Sequence, residues 1–269
     1  MNTLPVESPS LDTLNSPNSR AAIAKRIALG KVSWRNTLIV LVGRSALMIV
    51  SQALVAAIYL LRSHPSPWSA AAPWWSVYAT LVDLGCLALM LKFTRIEGIH
   101  LRDLVGKTHL RGGHDIWLGL ACLAVGFVFF GLVAQVASRI VLGTVQPNPY
   151  PGLLSARVLP WWGTFYSLLF WIIWSPTEEM TYQGFALARI EALCGRTWPA
   201  VLLVALWWAL QHSFIPFIVE WRYIVWRFFF FLPGVLAFLL IYLRLRRLPP
   251  LILAHWSLDI MAAFFTLKF

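Results

Sequence analysis

The clearest guide to the architecture is NTLIVLVGRSALMIVSQALVAAIYLL, the stretch at residues 36–61. Its only charged residue is Arg44. As a helix rising 1.5 Å per residue it would be about 39 Å long, which exceeds the roughly 30 Å hydrocarbon core of a bilayer. Further apolar runs follow at about 73–91, 116–143, 160–190, 198–215, 225–243 and 249–267. The sequence therefore predicts an all-α, polytopic membrane helix bundle of about seven or eight transmembrane helices.

The composition of the whole chain agrees with this architecture. Of its 269 residues, 59% are hydrophobic and 12% are charged, whereas a soluble domain averages about 25% charged residues. The three cysteines, Cys86, Cys122 and Cys194, lack the spacing of a metal site or a disulfide framework. These features exclude an ordinary soluble domain, and the cysteines are interpreted as small apolar residues.

The distribution of polar and basic residues predicts the domain organisation. Residues 1–35 are polar and then basic, which predicts a disordered cytoplasmic tail, and 36–269 form the transmembrane bundle. Most Lys and Arg residues lie in this tail and in alternate loops, so the N-terminus is expected in the cytoplasm and the protein in the plasma (inner) membrane. The net charge of +11 is attributed to contacts with anionic lipid, and nucleic acid is not expected as a partner.

Ionisable residues inside the apolar runs mark candidate sites, because a charge near the bilayer centre costs at least about 2.5–3.5 kcal/mol. Arg44 and Asp83 are single charges in the first two runs and are interpreted as an ion pair that joins two helices. The aromatic run 228–231 is interpreted as lipid-facing or core bulk. Other acidic and imidazole groups gather in the later runs: Glu178, Glu179, His212, His255 and Asp259.

These later groups suit hydrolysis. The helical rise places Glu178, His212, His255 and Asp259 at compatible depths near the middle of the bilayer. Glu178 with His212 can hold and deprotonate a water, while His255 with Asp259 can stabilise a developing oxyanion. The same chemistry is available to zinc or another divalent metal, with Glu178, His212 and His255 as ligands. The sequence leaves open a site without a cofactor and a site with a divalent metal.

Three motifs in this region carry a resemblance to a known family. They are EEMTYQG at residues 178–184, WALQH at 208–212 and HWSLD at 255–259. In order and spacing they resemble the EExxxR, FxxxH and HxxxN/D motifs of the CAAX protease and bacteriocin-processing (CPBP) family of intramembrane endopeptidases. The resemblance covers about 160–267, which would be the catalytic region.

The resemblance implies roles for the motif residues. Glu178 would activate water with His212, Glu179 would help to hold the substrate or the site, and the oxyanion-stabilising pair would be His255 and Asp259. The implied substrate is a membrane-associated protein or peptide. The protein would then be a glutamate-type or metallo-endopeptidase.

One motif position departs from the family. Gln183 stands where the family has Arg, four residues after Glu179 on the same helix face. Gln183 is a predicted substrate-binding residue, but it lacks the charge that would pair with a carboxylate. CAAX specificity therefore does not follow from the motifs alone. Trp208 replaces Phe and supplies similar aromatic packing.

Two other functions remain open for the same polar cluster. A proton- or ion-coupled transporter could use it as a relay, although the sequence has no internal repeat. A catalytically inactive membrane scaffold would keep the fold while binding a partner, and Gln183 favours this alternative. The HExxH, GxSG and GxGD motifs of other membrane proteases do not occur in the sequence.

Overall fold

The computed structural model describes residues 16–109, 113–144 and 159–266. These residues are helical apart from short connections and contain no strand, which confirms the predicted all-α bundle. The helices, numbered in chain order, are α1 Arg20–Ala28, α2 Trp34–Leu61, α3 Pro67–Ala71, α4 Trp75–Glu97, α5 His114–Gly126, α6 Ala134–Leu142, α7 Trp161–Glu179, α8 Ala188–Cys194, α9 Thr197–Gln211, α10 Trp221–Leu245 and α11 Pro249–Thr266. Short 3₁₀ turns lie at Ala72–Trp74 and Leu101–Leu104, and π-helical turns lie at Phe127–Val133 and Met180–Leu187.

Several described helices are suited to a bilayer. Four segments are long and apolar enough to cross it, judged by length and composition: Trp34–Leu61, Pro67–Glu97, His114–Leu142 and Trp221–Leu245. They correspond to the predicted runs at 36–61, 73–91, 116–143 and 225–243. The helix Thr197–Gln211 is apolar but shorter. The protein is thus an integral membrane protein, and the total of seven or eight spans stays a prediction.

Helix packing places the three motifs together. α11 packs against α5 and α7, α4 packs against both α2 and α7, and α9 packs against α10. The first motif begins at the end of α7, the second ends α9, and the third lies within α11. The motif helices therefore meet in the interior of the bundle.

A π-helical turn shapes the first motif. It spans Met180–Leu187 and joins α7 to α8 without a break. A π-turn widens the helix and is often found at functional sites. The carbonyl oxygen of Gly184 in this turn accepts hydrogen bonds from Asn18 Nδ2 at 2.7 Å and Arg189 Nη1 at 3.3 Å. A Cβ at Gly184 would lie 2.9 Å from the Leu104 carbonyl oxygen, so the close packing here requires glycine.

The N-terminal segment differs from the predicted disordered tail. Residues 20–28 form α1, so the prediction of disorder is wrong there; residues 1–15 lie outside the described part of the chain. The Ser19 side chain caps α1 by accepting a hydrogen bond from the Ala22 N–H at 3.3 Å. Ile23 is fully buried and packs with Val32 and Ala188. The polar composition of the tail concealed a short helix that is stabilised by tertiary contacts.

A buried ion cluster attaches this segment to the bundle. Glu97 at the end of α4 accepts hydrogen bonds from Arg189 at 2.6 and 2.7 Å and from Arg26 at 3.1 Å. Arg189 also donates to Asn18 Oδ1 at 3.1 Å. All three charged residues are less than 9% exposed. The cluster therefore joins α1, α4 and α8 at one end of the bundle.

Candidate active site

Glu178 lies in the last turn of α7 and is fully buried. Its Oε1 accepts hydrogen bonds from Trp208 Nε1 and from Gln211 Nε2, the latter at 2.8 Å. Its Oε2 lies 3.3 Å from Arg44 Nη2. A carboxylate has about four accepting positions, and these donors occupy three of them. The arrangement stabilises a buried negative charge and leaves accepting capacity for one more donor.

His212 faces Glu178 from the turn that follows α9. Its Nδ1 lies 2.9 Å from the Trp208 carbonyl oxygen, which can only accept a hydrogen bond. In the neutral ring the proton therefore resides on Nδ1, and Nε2 carries a lone pair. Nε2 lies 3.6 Å from Glu178 Oε1. Two proton acceptors thus face the same small region.

The position of the His212 ring depends on two residues of α10. The ring of Phe231 stacks on it, with the ring centroids 3.7 Å apart and the planes at 7°. Arg227 packs over the ring of Phe231, with its Cζ 4.7 Å from the ring centroid, and its Nε donates to the His212 carbonyl oxygen at 3.0 Å. The interpretation of residues 228–231 as bulk missed this contact. A charged residue four positions before Phe231 on the same helix face was the available signal.

A side chain of α2 holds the turn after α9 in place through hydrogen bonds. Gln52 Nε2 donates to the Phe217 carbonyl oxygen at 3.1 Å, and Gln52 Oε1 accepts from the Phe217 N–H at 2.7 Å and from Tyr78 at 3.0 Å. The predicted run 198–215 therefore ends as a helix at Gln211, and its last residues form a turn. This turn holds His212 at the edge of the site.

A second chain of polar contacts connects α7 to α11. His255 Nδ1 lies 2.8 Å from Glu179 Oε1, and His255 Nε2 lies 3.5 Å from Asp259 Oδ2. Ser175 donates to Asp259 Oδ2 at 2.6 Å. Sequence reasoning missed Ser175, although it lies one helical turn before Glu179 on the same helix. Asp259 Oδ2 is thus shared between the Ser175 hydroxyl and the His255 ring.

Trp208 lies between the two polar groups just described, one around Glu178 and the other around His255. Its indole N–H bonds Glu178, its ring stacks on Tyr182 with centroids 5.2 Å apart, and the His255 ring lies 6.4 Å away. Tyr182 in turn donates to Gln211 Oε1 at 3.1 Å. The structure therefore brings together the predicted residues Glu178, Glu179, His212, His255 and Asp259.

Gln183 is fully buried in the π-turn. Among the described side chains, neither its Oε1 nor its Nε2 has a hydrogen-bond partner, and the Oε2 of Glu179 also lacks one. Buried polar atoms of this kind usually find a partner, from water or a ligand if not from protein. The amide of Gln183 thus keeps a donor and an acceptor available beside Glu179 that no described side chain engages.

The predicted metal ligands do not assemble around one point. Both ring nitrogens of His255 face Glu179 and Asp259, while Glu178 Oε1 accepts two N–H donors. Within the described residues, no group of three or more His, Cys, Asp or Glu side chains is arranged to hold a metal ion. The set Glu178, His212 and His255 therefore does not fit zinc as it is arranged here.

Arg44 and Asp83 form the predicted ion pair, with Arg44 Nη1 2.7 Å from Asp83 Oδ1. Sequence reasoning did not anticipate that the same guanidinium also reaches Glu178. The partner of a buried charge depends on which helices become neighbours, and the sequence alone does not specify this.

Comparison with known proteins finds one family that is similar to this region. Residues 160–261 match the family described as Type II CAAX prenyl endopeptidase Rce1-like. No curated protein and no solved structure matches the chain. The matched segment runs from α7 into α11 and contains all three motifs. The match agrees with the resemblance found in the motifs: residues 160–261 of this integral membrane protein are similar to the Rce1-like CAAX protease family.

Proposed function

We propose that this protein is an intramembrane endopeptidase that hydrolyses a peptide bond in a membrane-associated protein or peptide. The observation that carries the proposal is the 3.6 Å approach of His212 Nε2 to Glu178 Oε1. A water beside this pair can donate one hydrogen to each side chain. The family match over residues 160–261 supports the same class of reaction.

The proposed mechanism begins with this water. The Glu178 carboxylate acts as the general base, and His212 Nε2 shares the proton as the water oxygen attacks the substrate carbonyl carbon. The proton then passes to the nitrogen of the leaving amine, and the C–N bond breaks. The products are a new carboxyl terminus and a new amino terminus.

His255 is the proposed donor to the developing oxyanion. Its Nδ1 is engaged by Glu179, while its Nε2 has only the longer 3.5 Å approach to Asp259. A hydrogen on Nε2 can therefore bond a substrate oxygen, and this hydrogen bond is strongest once negative charge develops on that oxygen. Ser175 and Asp259 act as positioning residues for the ring.

We propose that catalysis requires no bound metal, since the described side chains do not form a metal-ligand set. Purified protein in lipid vesicles should therefore cleave its substrate at the same rate before and after treatment with a strong chelator. The measurement is the initial rate of peptide cleavage, with zinc added back in a parallel sample. Loss of activity on chelation that zinc restores would contradict this part of the proposal.

Gln183→Arg should favour substrates that end in a free carboxylate. The new guanidinium would lie one turn from the unpartnered Glu179 Oε2 and would supply the charge that Gln183 lacks. A charge-assisted hydrogen bond is worth about 1.5–3 kcal/mol. We expect kcat/KM for a peptide acid, relative to its C-terminal amide, to rise about tenfold or more.

Gln183→Met is the matched control, because Met has a similar size and no charge. It should leave the acid-to-amide ratio at the wild-type value. If Gln183→Arg and Gln183→Met give the same ratio, position 183 does not contact the substrate terminus.

A further inference from the structure

We infer that Arg44 is a positioning residue for hydrolysis: it holds the Glu178 carboxylate from a neighbouring helix, while Asp83 fixes its guanidinium. The inference rests on the proposed function, because it takes Glu178 to be the base. Arg44 and Asp83 lie outside residues 160–261, so the family match assigns neither of them a role.

The guanidinium of Arg44 is held on three sides. It lies near the middle of α2 and is fully buried. Nη1 donates to Asp83 Oδ1 of α4 at 2.7 Å, and Nη2 approaches Glu178 Oε2 of α7 at 3.3 Å. The ring of Trp174 lies against its face, 4.7 Å from Cζ. Three helices therefore converge on one cation.

An ion pair that only joined two helices would need one acid for one arginine. Here a second carboxylate shares the same cation, so Arg44, Asp83 and Glu178 carry one excess formal negative charge in the interior. Such burial is costly unless the geometry is good and every partner is bonded. The planar fork of arginine suits this task, because each terminal nitrogen can serve a different carboxylate.

The two contacts are unequal in length. The 2.7 Å contact to Asp83 is a strong hydrogen bond, whereas the 3.3 Å contact to Glu178 is longer than most charge-assisted bonds. Asp83 therefore holds the guanidinium in place, and Glu178 is oriented without being locked in a tight pair. A base oriented in this way keeps its capacity to accept a proton from water.

The location of Arg44 is also relevant to position 183, where Gln stands in place of the Arg of the family motif. That position is neutral, and the cation beside the first-motif carboxylates comes instead from α2. It contacts Glu178, which carries the base function in the proposed mechanism. Arg44 thus orients the base and leaves the region of Gln183 and Glu179 without its charge.

Four variants in lipid vesicles test the inference: Arg44→Lys, Arg44→Met, Asp83→Asn and the double variant Arg44→Met/Asp83→Asn. For each, kcat, KM and the thermal unfolding midpoint are measured. Arg44→Met should lose about 100-fold in kcat, the scale of a misplaced catalytic group, with KM little changed. Arg44→Lys should fall between it and wild type, because one ammonium cannot bridge both acids in the same geometry.

The double variant separates positioning from structure. It removes the cation together with the acid that pairs most tightly with it, so no carboxylate is left unpaired at position 83. We expect its unfolding midpoint to recover toward wild type while kcat stays about 100-fold low, since Glu178 is still unsupported. Recovery of kcat together with stability would overturn the inference and leave a purely structural ion pair.

The remaining outcomes are also decisive. If the double variant does not fold, Arg44→Lys decides, and a folded Arg44→Lys with wild-type kcat would overturn the inference. A loss of kcat that merely follows the loss of stability across all four variants would do the same. If Glu178→Gln cleaves the substrate as fast as the wild type does, the proposed function itself fails, whatever the Arg44 variants do.

Discussion

Glu178→Gln is expected to lower kcat by roughly 100- to 10,000-fold, the range that a positioned general base supplies. Glutamine keeps the size of the side chain and an oxygen that can accept from Trp208 or Gln211. It cannot take a proton from water. Because Arg44 retains Asp83 as a partner, no buried cation is left unpaired. The change should therefore remove chemistry while KM and folding stay close to wild type.

The measurement is single-turnover and steady-state cleavage by purified protein in lipid, together with the thermal unfolding midpoint. Glu220→Gln is the matched control, since Glu220 is an exposed glutamate in the loop before α10. It should leave both quantities unchanged. Activity of Glu178→Gln within tenfold of wild type would remove Glu178 from the role of base.

Glu97→Ala is expected to cause a large loss of stability. The change removes the carboxylate that bonds two nitrogens of Arg189 and one of Arg26, all in a buried setting. Breaking a buried ion pair by removing one partner typically costs about 3–5 kcal/mol, because the remaining charge is left uncompensated. The N-terminal segment should loosen as well, because Arg26 lies on α1.

Thermal unfolding in detergent measures this loss as a lowered midpoint, and limited proteolysis reports the release of residues 16–28. Glu220→Ala removes a carboxylate from an exposed position and should leave the midpoint near wild type. An equal midpoint for Glu97→Ala and Glu220→Ala would mean that the cluster contributes nothing to the fold.

The sequence indicated which polar residues would come together in the candidate site, because the depth of a residue in a membrane helix follows from its distance along the chain. The 1.5 Å rise per residue put Glu178, His212, His255 and Asp259 at compatible heights, and costly polar groups in apolar runs turn inward. The structure places these residues in two adjoining polar groups on either side of Trp208, with Glu178 fully buried and His255 and Asp259 partly exposed. Depth does not specify the angle of each helix about its axis, so the pairings Glu178 with His212 and Glu179 with His255 emerged only from the packed bundle.

Other features lay beyond sequence periodicity. A regular period of 3.6 residues does not anticipate the π-turn at Met180–Leu187, which changes the face on which later residues lie. The stacking of Phe231 on His212 and the reach of Arg44 to Glu178 depend on contacts between helices far apart in the chain. The helix α1 was concealed because its basic residues resemble those of a solvated tail, whereas in the structure Arg26 pairs with the buried Glu97.

The sharpest test is mass spectrometry of the products formed in heavy-oxygen water. Wild-type protein and Glu178→Gln are incubated in lipid vesicles with a mixed library of prenylated and unprenylated membrane peptides. We predict that the wild type generates new carboxyl termini that carry the heavy oxygen, that a chelator does not prevent this, and that Glu178→Gln generates none. Cleavage products of equal yield from both proteins, or no cleavage by the wild type, would contradict intramembrane hydrolysis at Glu178 and His212.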